Sequence, residues 1–218
     1  MERRISTLRS LMQSNNIEGV LLTSYHNINY YSDFLYLKMG RPYGLVVTMD
    51  AVTTITALVD WGHPWRRAHT CDNVVYTDWQ KDNYWQAVRE KLGGSVSPSG
   101  RIACEFDDMS VDNMAKLKTS LPGRDIVDVA EPIMMTRIKK SAEEIALIKS
   151  IAAISDVGGA AVVEAMEEGV PEFVVRDHAI VKMNEEIARR HPNSEFRDSK
   201  HLQNCFIKIL QCITIELF

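Results

Sequence analysis

The chain has 218 residues, which is enough for one domain or for one domain and part of a second. Its hydrophobic content of 45% and charged content of 25% are ordinary for a soluble globular protein. A net charge of −4 argues against binding to nucleic acid or to acidic membranes. Residues 1–5 lack an apolar signal core, and no apolar run predicts a membrane span. The four cysteines form no CxxC pair, so we expect reduced thiols and a cytoplasmic protein.

Strands alternate with helices over the first 130 residues. Helical spacing of apolar residues predicts an amphipathic helix over 2–15, and further helices are predicted over 82–92 and after Ser110. Met49-Asp50-Ala51 connects two of the strands and is short enough for a hairpin. The predicted strands are 17–23, 43–49, 52–58, 73–77, 101–106 and 125–129. The pattern predicts an α/β domain of three layers with a mixed sheet.

The sequence changes character near Glu131. A connecting helix is expected over 131–138, and Ser141 with Glu144 forms a capping-box pattern that opens a helix running to about residue 168. Glycines inside this helix, at 158 and 159, fit either a close helix contact or a break. The next helix is expected from Pro171 to residue 190. These patterns predict a domain over residues 1–130, followed by a helical segment that belongs to something else.

The connection over residues 24–44 is the strongest candidate for binding. It is rich in tyrosine and follows an apolar strand, and loops at the end of a strand often carry binding residues. Arg41 lies between Gly40 and Pro42, and its guanidinium could pair in a forked arrangement with a carboxylate. The alternative is that the tyrosines pack in the core and that Arg41 pairs with a surface acid.

Other chemical motifs are absent or weak. The sequence contains no GxGxxG, GxxxxGK[ST], HExxH or GxSxG pattern. Asp107 and Asp108 precede a helix and are better explained as structural residues than as a catalytic pair. His69 and Cys71 lack a second pair that would complete a metal site, so no metal and no cofactor is predicted.

Several stretches nevertheless resemble the creatinase family, which belongs to the pita-bread superfamily together with prolidase and aminopeptidase P. The similarity covers about residues 5–199. The stretches that carry it are SYHNINYYSDFLY at 24–36, GRPY at 40–43, PWRR at 64–67, VYTDWQ at 75–80, IKKSAEE at 138–144 and DVGGAAVVEA at 156–165.

This resemblance implies a homodimeric, two-domain amidinohydrolase that converts creatine and water to sarcosine and urea. The amino-terminal domain would be a mixed-sheet α/β domain, and the carboxy-terminal pita-bread domain would carry the catalytic histidine and glutamates without a metal. Arg41 matches an arginine that binds the creatine carboxylate in the active site of the partner subunit. Met39 stands at a substrate-packing position where the family has an aromatic residue.

The resemblance implies that residues 131–199 are the linker and first helices of an incomplete pita-bread domain. Residues 200–218 match nothing in the family and form a divergent tail, so the resemblance implies a truncated form that is inactive alone. One alternative is a non-catalytic dimerisation or regulatory module that pairs with itself or with a full-length form. Another is a fragment of a prolidase-like metallopeptidase. The GRPY and PWRR stretches favour creatinase over prolidase.

Overall fold

In a computed structural model, the chain divides into two compact units, Met1–Arg137 and Ile138–Phe218. The structure describes residues 2–34, 36, 40–60, 72–77 and 83–193. The predictions for Met39, for the PWRR stretch, for residues 78–80 and for the 200–218 tail therefore lie outside the described residues. Each unit is considered by itself below.

The first unit alternates strands and helices, as its sequence predicts. Its helices are α1 (Glu2–Ser14), α2 (Tyr25–Ser32), α3 (Asn83–Val88), α4 (Val111–Ser120) and α5 (Ala130–Ile138). Its strands are β1 (Ile17–Leu22), β2 (Gly44–Thr48), β3 (Val52–Ala57), β4 (Asp72–Tyr76), β5 (Arg101–Cys104) and β6 (Ile126–Asp128).

These strands form one mixed sheet in the order β4-β3-β2-β1-β5-β6. β2 runs antiparallel to both β1 and β3, whereas the pairs β1/β5, β3/β4 and β5/β6 are parallel. The predicted hairpin joins β2 to β3, and it is the reason that the sheet is mixed. The predicted α/β fold with a mixed sheet is thus confirmed.

The core of the first unit lies where apolar helix faces meet the sheet. α1 buries Ile5, Leu8 and Met12, three side chains at helical spacing. Central strand β1 buries five of its six residues, as expected for a strand covered on both sides. The predicted helix over 82–92 is present in two parts. The α-helix α3 ends at Val88, and a π-helical turn continues over Arg89–Gly93.

The second unit contains α6 (Ala142–Ala165) and α7 (Glu172–Arg190). The capping box is confirmed: the Glu144 amide donates to Ser141 Oγ at 3.2 Å, and the Ser141 amide donates to Glu144 Oε2 at 2.7 Å. The close helix contact is confirmed at Gly158, where an added Cβ would lie 2.6 Å from the sulfur of Met183 on α7. The alternative of a helix break is excluded, because α6 continues through both glycines.

By length and composition, α6 is the one helix in the described part of the chain that could cross a membrane. Its apolar run is interrupted by Lys149 and Asp156. The core helix of a soluble protein passes the same test, so α6 alone is weak evidence for a membrane span.

Candidate functional site

The stretch predicted to be a binding loop begins as a helix. Ser24 is the N-cap of α2, and its side chain accepts a hydrogen bond from the Asn27 amide. At the other end, Asp33 adopts a left-handed conformation with φ of 54° and donates its amide to the carbonyl of Asn29. The prediction of a connecting loop over residues 24–44 is therefore wrong for Tyr25–Ser32, which are helical. Tyrosine, histidine and asparagine are weak helix formers, so propensity gives no signal for α2.

A buried carboxylate fixes the start of this helix. Glu105, which follows β5, is 1% exposed. One of its oxygens accepts hydrogen bonds from the backbone amides of Thr23 and Ser24 at 2.6 and 3.0 Å. The other accepts from Ser24 Oγ at 2.6 Å and from the side-chain amide of Asn27. Glu105 thus ties the β1–α2 junction to the neighbouring strand across more than 75 residues of sequence.

Of the adjacent acids Asp107 and Asp108, the second has a structural contact, as predicted. Asp108 accepts a hydrogen bond from the Thr23 hydroxyl at 2.8 Å, which adds to the attachment of the β1–α2 junction. The N-cap of α4 is instead Ser110, whose side chain accepts from the Asn113 amide. Asp107 and Asp108 therefore precede the helix without capping it.

Most of the aromatic residues that follow belong to the core. Tyr31, Phe34, Tyr36 and Tyr43 are at most 4% exposed. The rings of Tyr36 and Tyr43 stack with centroids 4.0 Å apart, and Phe34 stacks on Tyr36 at 5.4 Å. This stacked group supports the segment that carries Arg41, so the alternative in which the tyrosines pack is confirmed for these residues.

The backbone is anchored on the carboxyl side of Arg41, and glycine stands on the other side. Gly40 has φ of 78°, a conformation that glycine adopts readily. On the other side, two consecutive carbonyls accept hydrogen bonds from tyrosine hydroxyls. The Pro42 carbonyl accepts from Tyr76 at 2.9 Å, and the Tyr43 carbonyl accepts from Tyr84 at 3.1 Å. Strand β2 begins at the next residue, so Arg41 lies just outside the rigid sheet.

Charged groups meet at the start of β2. The Tyr43 hydroxyl donates a hydrogen bond to Asp60, at the end of the 3-10 turn Leu58–Asp60. Burial raises the pKa of Tyr43 far above its usual value, Asp60 raises it further, and the positive charge of Arg41 opposes them. Tyr43 therefore stays a neutral hydrogen-bond donor, and the half-buried Arg41 gives this end of the sheet a cation. This arrangement can bind a carboxylate through a guanidinium fork.

Several histidines and Cys71 are further candidate site residues. His26 is exposed and contacts the Tyr25 ring edge-on at 5.6 Å. His63, His69 and Cys71 lie outside the described residues. Within the described ranges, no group of three or more His, Cys, Asp or Glu side chains could hold a metal ion.

The sequence analysis did not single out Glu105, Tyr76 or Tyr84, whose side chains hydrogen-bond to the backbone of this region. Glu105 could have been found, since it is the one charged residue in the apolar run over 102–106. Tyr76 and Tyr84 carry no comparable signal, because their hydroxyls reach Pro42 and Tyr43 across 34 and 41 residues.

Comparison with known proteins places this geometry in a family. The sequence profile of the creatinase/prolidase N-terminal domain matches residues 4–139. The chain is 49% identical to the creatinase of Bacillus sp. (strain B-0618) over 199 residues, which are 91% of this chain and 48% of that protein. It therefore spans about half the length of that relative.

Solved structures share the fold at low sequence identity. The prolidase from Pyrococcus horikoshii OT3 superposes with a TM-score of 0.66 at 20% identity, over 84% of this chain and 48% of the prolidase. The creatinase/prolidase N-terminal domain of an X-Pro dipeptidase from Streptococcus pyogenes superposes with a TM-score of 0.54 at 18% identity. That match covers 62% of this chain and 99% of the solved domain. Profile, sequence relative and fold agree, and the chain belongs to the creatinase/prolidase N-terminal domain family.

Proposed function

We propose that this chain supplies the amino-terminal domain of a creatinase-like amidinohydrolase, which hydrolyses creatine to sarcosine and urea. The observation that carries the proposal is the 49% identity to a creatinase. Identity to the prolidase fold relatives is 20% or less, which favours the amidinohydrolase over a prolidase-like peptidase. The amidinohydrolase to which this domain would belong is proposed to be cytoplasmic.

Within this proposal, Arg41 binds the carboxylate of creatine. The anchored carbonyls of Pro42 and Tyr43 restrict the direction in which its side chain leaves the backbone. A guanidinium offers two parallel donors to a carboxylate, which lysine cannot reproduce. As the resemblance implies, Arg41 would serve the active site of a partner subunit in a homodimer, and Met39 would pack near the substrate.

The domain division follows the same proposal. The first unit would provide Arg41 and subunit contacts, and α6 and α7 would be the first helices of the pita-bread domain. The catalytic histidine and glutamates would belong to the part of the enzyme that corresponds to the other half of the Bacillus creatinase. Urea release would therefore require that half, and the purified 218-residue chain would release none from creatine.

The test uses a fusion enzyme, defined here as residues 1–193 of this chain followed by the carboxy-terminal half of the Bacillus creatinase. We expect the fusion enzyme to release urea from creatine and the 218-residue chain not to do so. Arg41→Lys in the fusion enzyme should raise KM for creatine about 30-fold. Loss of a forked contact to a desolvated carboxylate costs about 2 kcal/mol or more.

The matched control is Arg101→Lys, which alters a surface pair with Asp125 and should leave KM unchanged. Xaa-Pro dipeptides serve as the second substrate. Hydrolysis of the dipeptides without urea release from creatine would contradict the proposal in favour of the peptidase. Unchanged KM in Arg41→Lys would show instead that Arg41 does not bind substrate.

A further inference from the structure

We infer that the hydroxyls of Tyr76 and Tyr84 position Arg41 for carboxylate binding, by holding the two peptide carbonyls that follow it. The expected effect on creatine binding rests on the proposed function. The expected effect on the backbone at Arg41 rests on the geometry alone. Neither tyrosine is expected to touch the substrate.

The two contacts act on adjacent peptide groups. Tyr76 donates to the carbonyl of Pro42 at 2.9 Å, and Tyr84 donates to the carbonyl of Tyr43 at 3.1 Å. Tyr84 is 1% exposed and Tyr76 is 7% exposed, so water has little access to replace either donor. A neutral phenol is needed for donation, and burial raises the pKa of Tyr84 far above its usual value.

The donors come from elements other than the one that carries Arg41. Tyr76 ends β4 and Tyr84 lies in α3, and their rings pack edge to face with centroids 5.7 Å apart. Tyr84 packs in the same way on Trp85 at 5.0 Å. Three packed rings therefore form a rigid support under the Arg41 segment.

Gly44 leaves space for the Tyr84 hydroxyl. A Cβ added at Gly44 would lie 2.6 Å from the hydroxyl oxygen of Tyr84. Only a residue without a side chain lets that hydroxyl reach the carbonyl of Tyr43. Gly44→Ala should therefore displace the Tyr84 hydroxyl without removing it.

Fixing the backbone matters because a forked ion pair is directional. A guanidinium and a carboxylate must be nearly coplanar, and a displacement of about 1 Å at a binding group can cost on the order of 100-fold in rate. Gly40 on the other side of Arg41 is conformationally permissive and gives little restraint of its own. The hydroxyl contacts supply that restraint before the substrate arrives, which lowers the entropic cost of binding.

The first measurement is made on the 218-residue chain and needs no activity. Backbone ¹⁵N order parameters at Arg41 should fall from about 0.85 to below about 0.6 in Tyr76→Phe/Tyr84→Phe. Gly44→Ala should also lower the order parameters at Arg41. The control is Tyr31→Phe, which removes an equally buried hydroxyl, one that is 3.0 Å from Thr136 Oγ1, and should leave Arg41 unchanged.

The second measurement is steady-state kinetics in the fusion enzyme. Tyr84→Phe should raise KM for creatine about tenfold with kcat nearly unchanged, and Tyr31→Phe should change neither. In an Arg41→Ala background, Tyr84→Phe should have no further effect on KM, because it acts through Arg41.

The outcomes separate the inference from the proposed function. If order parameters at Arg41 are unchanged in the tyrosine and glycine variants, or fall equally in Tyr31→Phe, the positioning role is wrong. If the effects of Tyr84→Phe and Arg41→Ala on KM are additive, Tyr84 has a general structural role instead. A fusion enzyme that never releases urea overturns the proposed function, while the order parameters still decide the positioning role.

Discussion

At the scale of single residues, Glu105 makes the strongest prediction about stability. Its two carboxylate oxygens accept four hydrogen bonds from donors at the β1–α2 junction. Glu105→Gln keeps the shape of the side chain but replaces one acceptor oxygen with an NH₂ group, which would face hydrogen-bond donors. We expect a loss of about 3 kcal/mol in the free energy of unfolding, which lowers the melting temperature by about 6–12 °C.

Tryptophan fluorescence can follow this unfolding, because Trp85 is buried in the first unit. Glu18→Gln is the matched control. Glu18 also accepts from one amide and one hydroxyl, both of Ser97, but this contact is exposed to solvent. A control as destabilised as Glu105→Gln would mean that burial of Glu105 is irrelevant to its contribution.

Cys104 makes a prediction about reactivity. Burial raises the pKa of its thiol to about 12, with smaller contributions from Asp128 and Glu105. Almost no thiolate is therefore present at pH 8, and the thiolate is the reactive form. We expect iodoacetamide at pH 8 to leave the Cys104 peptide unmodified in the native protein and to alkylate it in urea, as read by mass spectrometry. Alkylation at equal rates in both conditions would contradict the burial of this thiol.

At the scale of elements, the α6–α7 pair depends on one small residue. Gly158 faces Met183, whereas no described atom lies within 4 Å of a Cβ added at the neighbouring Gly159. Gly158→Leu should destabilise the pair by about 1–3 kcal/mol through overpacking. Gly159→Leu should be neutral or stabilising by up to about 1 kcal/mol, because leucine is the better helix former. Far-UV circular dichroism during thermal unfolding compares the two, and equal losses would exclude a special contact at Gly158.

The same scale explains why α2 escaped prediction. Its residues favour a helix weakly, and no capping box marks its start. The helix depends on hydrogen bonds from Thr23, Ser24 and Asn27 to Glu105, which lies on a different element. Local propensity is a weak prior that such tertiary contacts override.

At the scale of the whole molecule, residues 1–139 should fold by themselves. α5 belongs to the first unit for most of its length: Ile133 is fully buried, and Tyr31 hydrogen-bonds to Thr136. The predicted boundary at residue 130 stays untested, but a chain of residues 1–130 would lose this burial, worth about 1.5–3 kcal/mol for Ile133 alone. We expect residues 1–139 to melt cooperatively and at a higher temperature than residues 1–130.

Residues 1–139 should also be more soluble than the whole chain. Several large apolar side chains of α6 and α7 are at least 42% exposed, among them Ile151, Val163 and Phe173. Exposed apolar surface of this kind promotes association. The concentration that remains after centrifugation compares the two lengths. A shorter chain that precipitates first would show that the second unit protects the first.

The sequence by itself determined the elements that depend on local pattern. Amphipathic spacing identified α1, the three-residue connection identified the β2–β3 hairpin, and the Ser141–Glu144 pattern identified the start of α6. These signals are local, because the interacting groups lie within a few residues of one another. Arg41 could likewise be singled out, since Gly40 and Pro42 are its immediate neighbours.

Only the tertiary structure decided how that arginine is held. The groups that fix its surroundings come from elements far apart in sequence: Tyr76 from β4, Tyr84 from α3 and Asp60 from the turn after β3. Glu105 reaches the start of α2 in the same way, from the end of β5. A hydroxyl or a carboxylate has no sequence period that reveals its distant partner. Its role appears once the sheet has brought the strands together, because most buried polar groups must then be hydrogen-bonded.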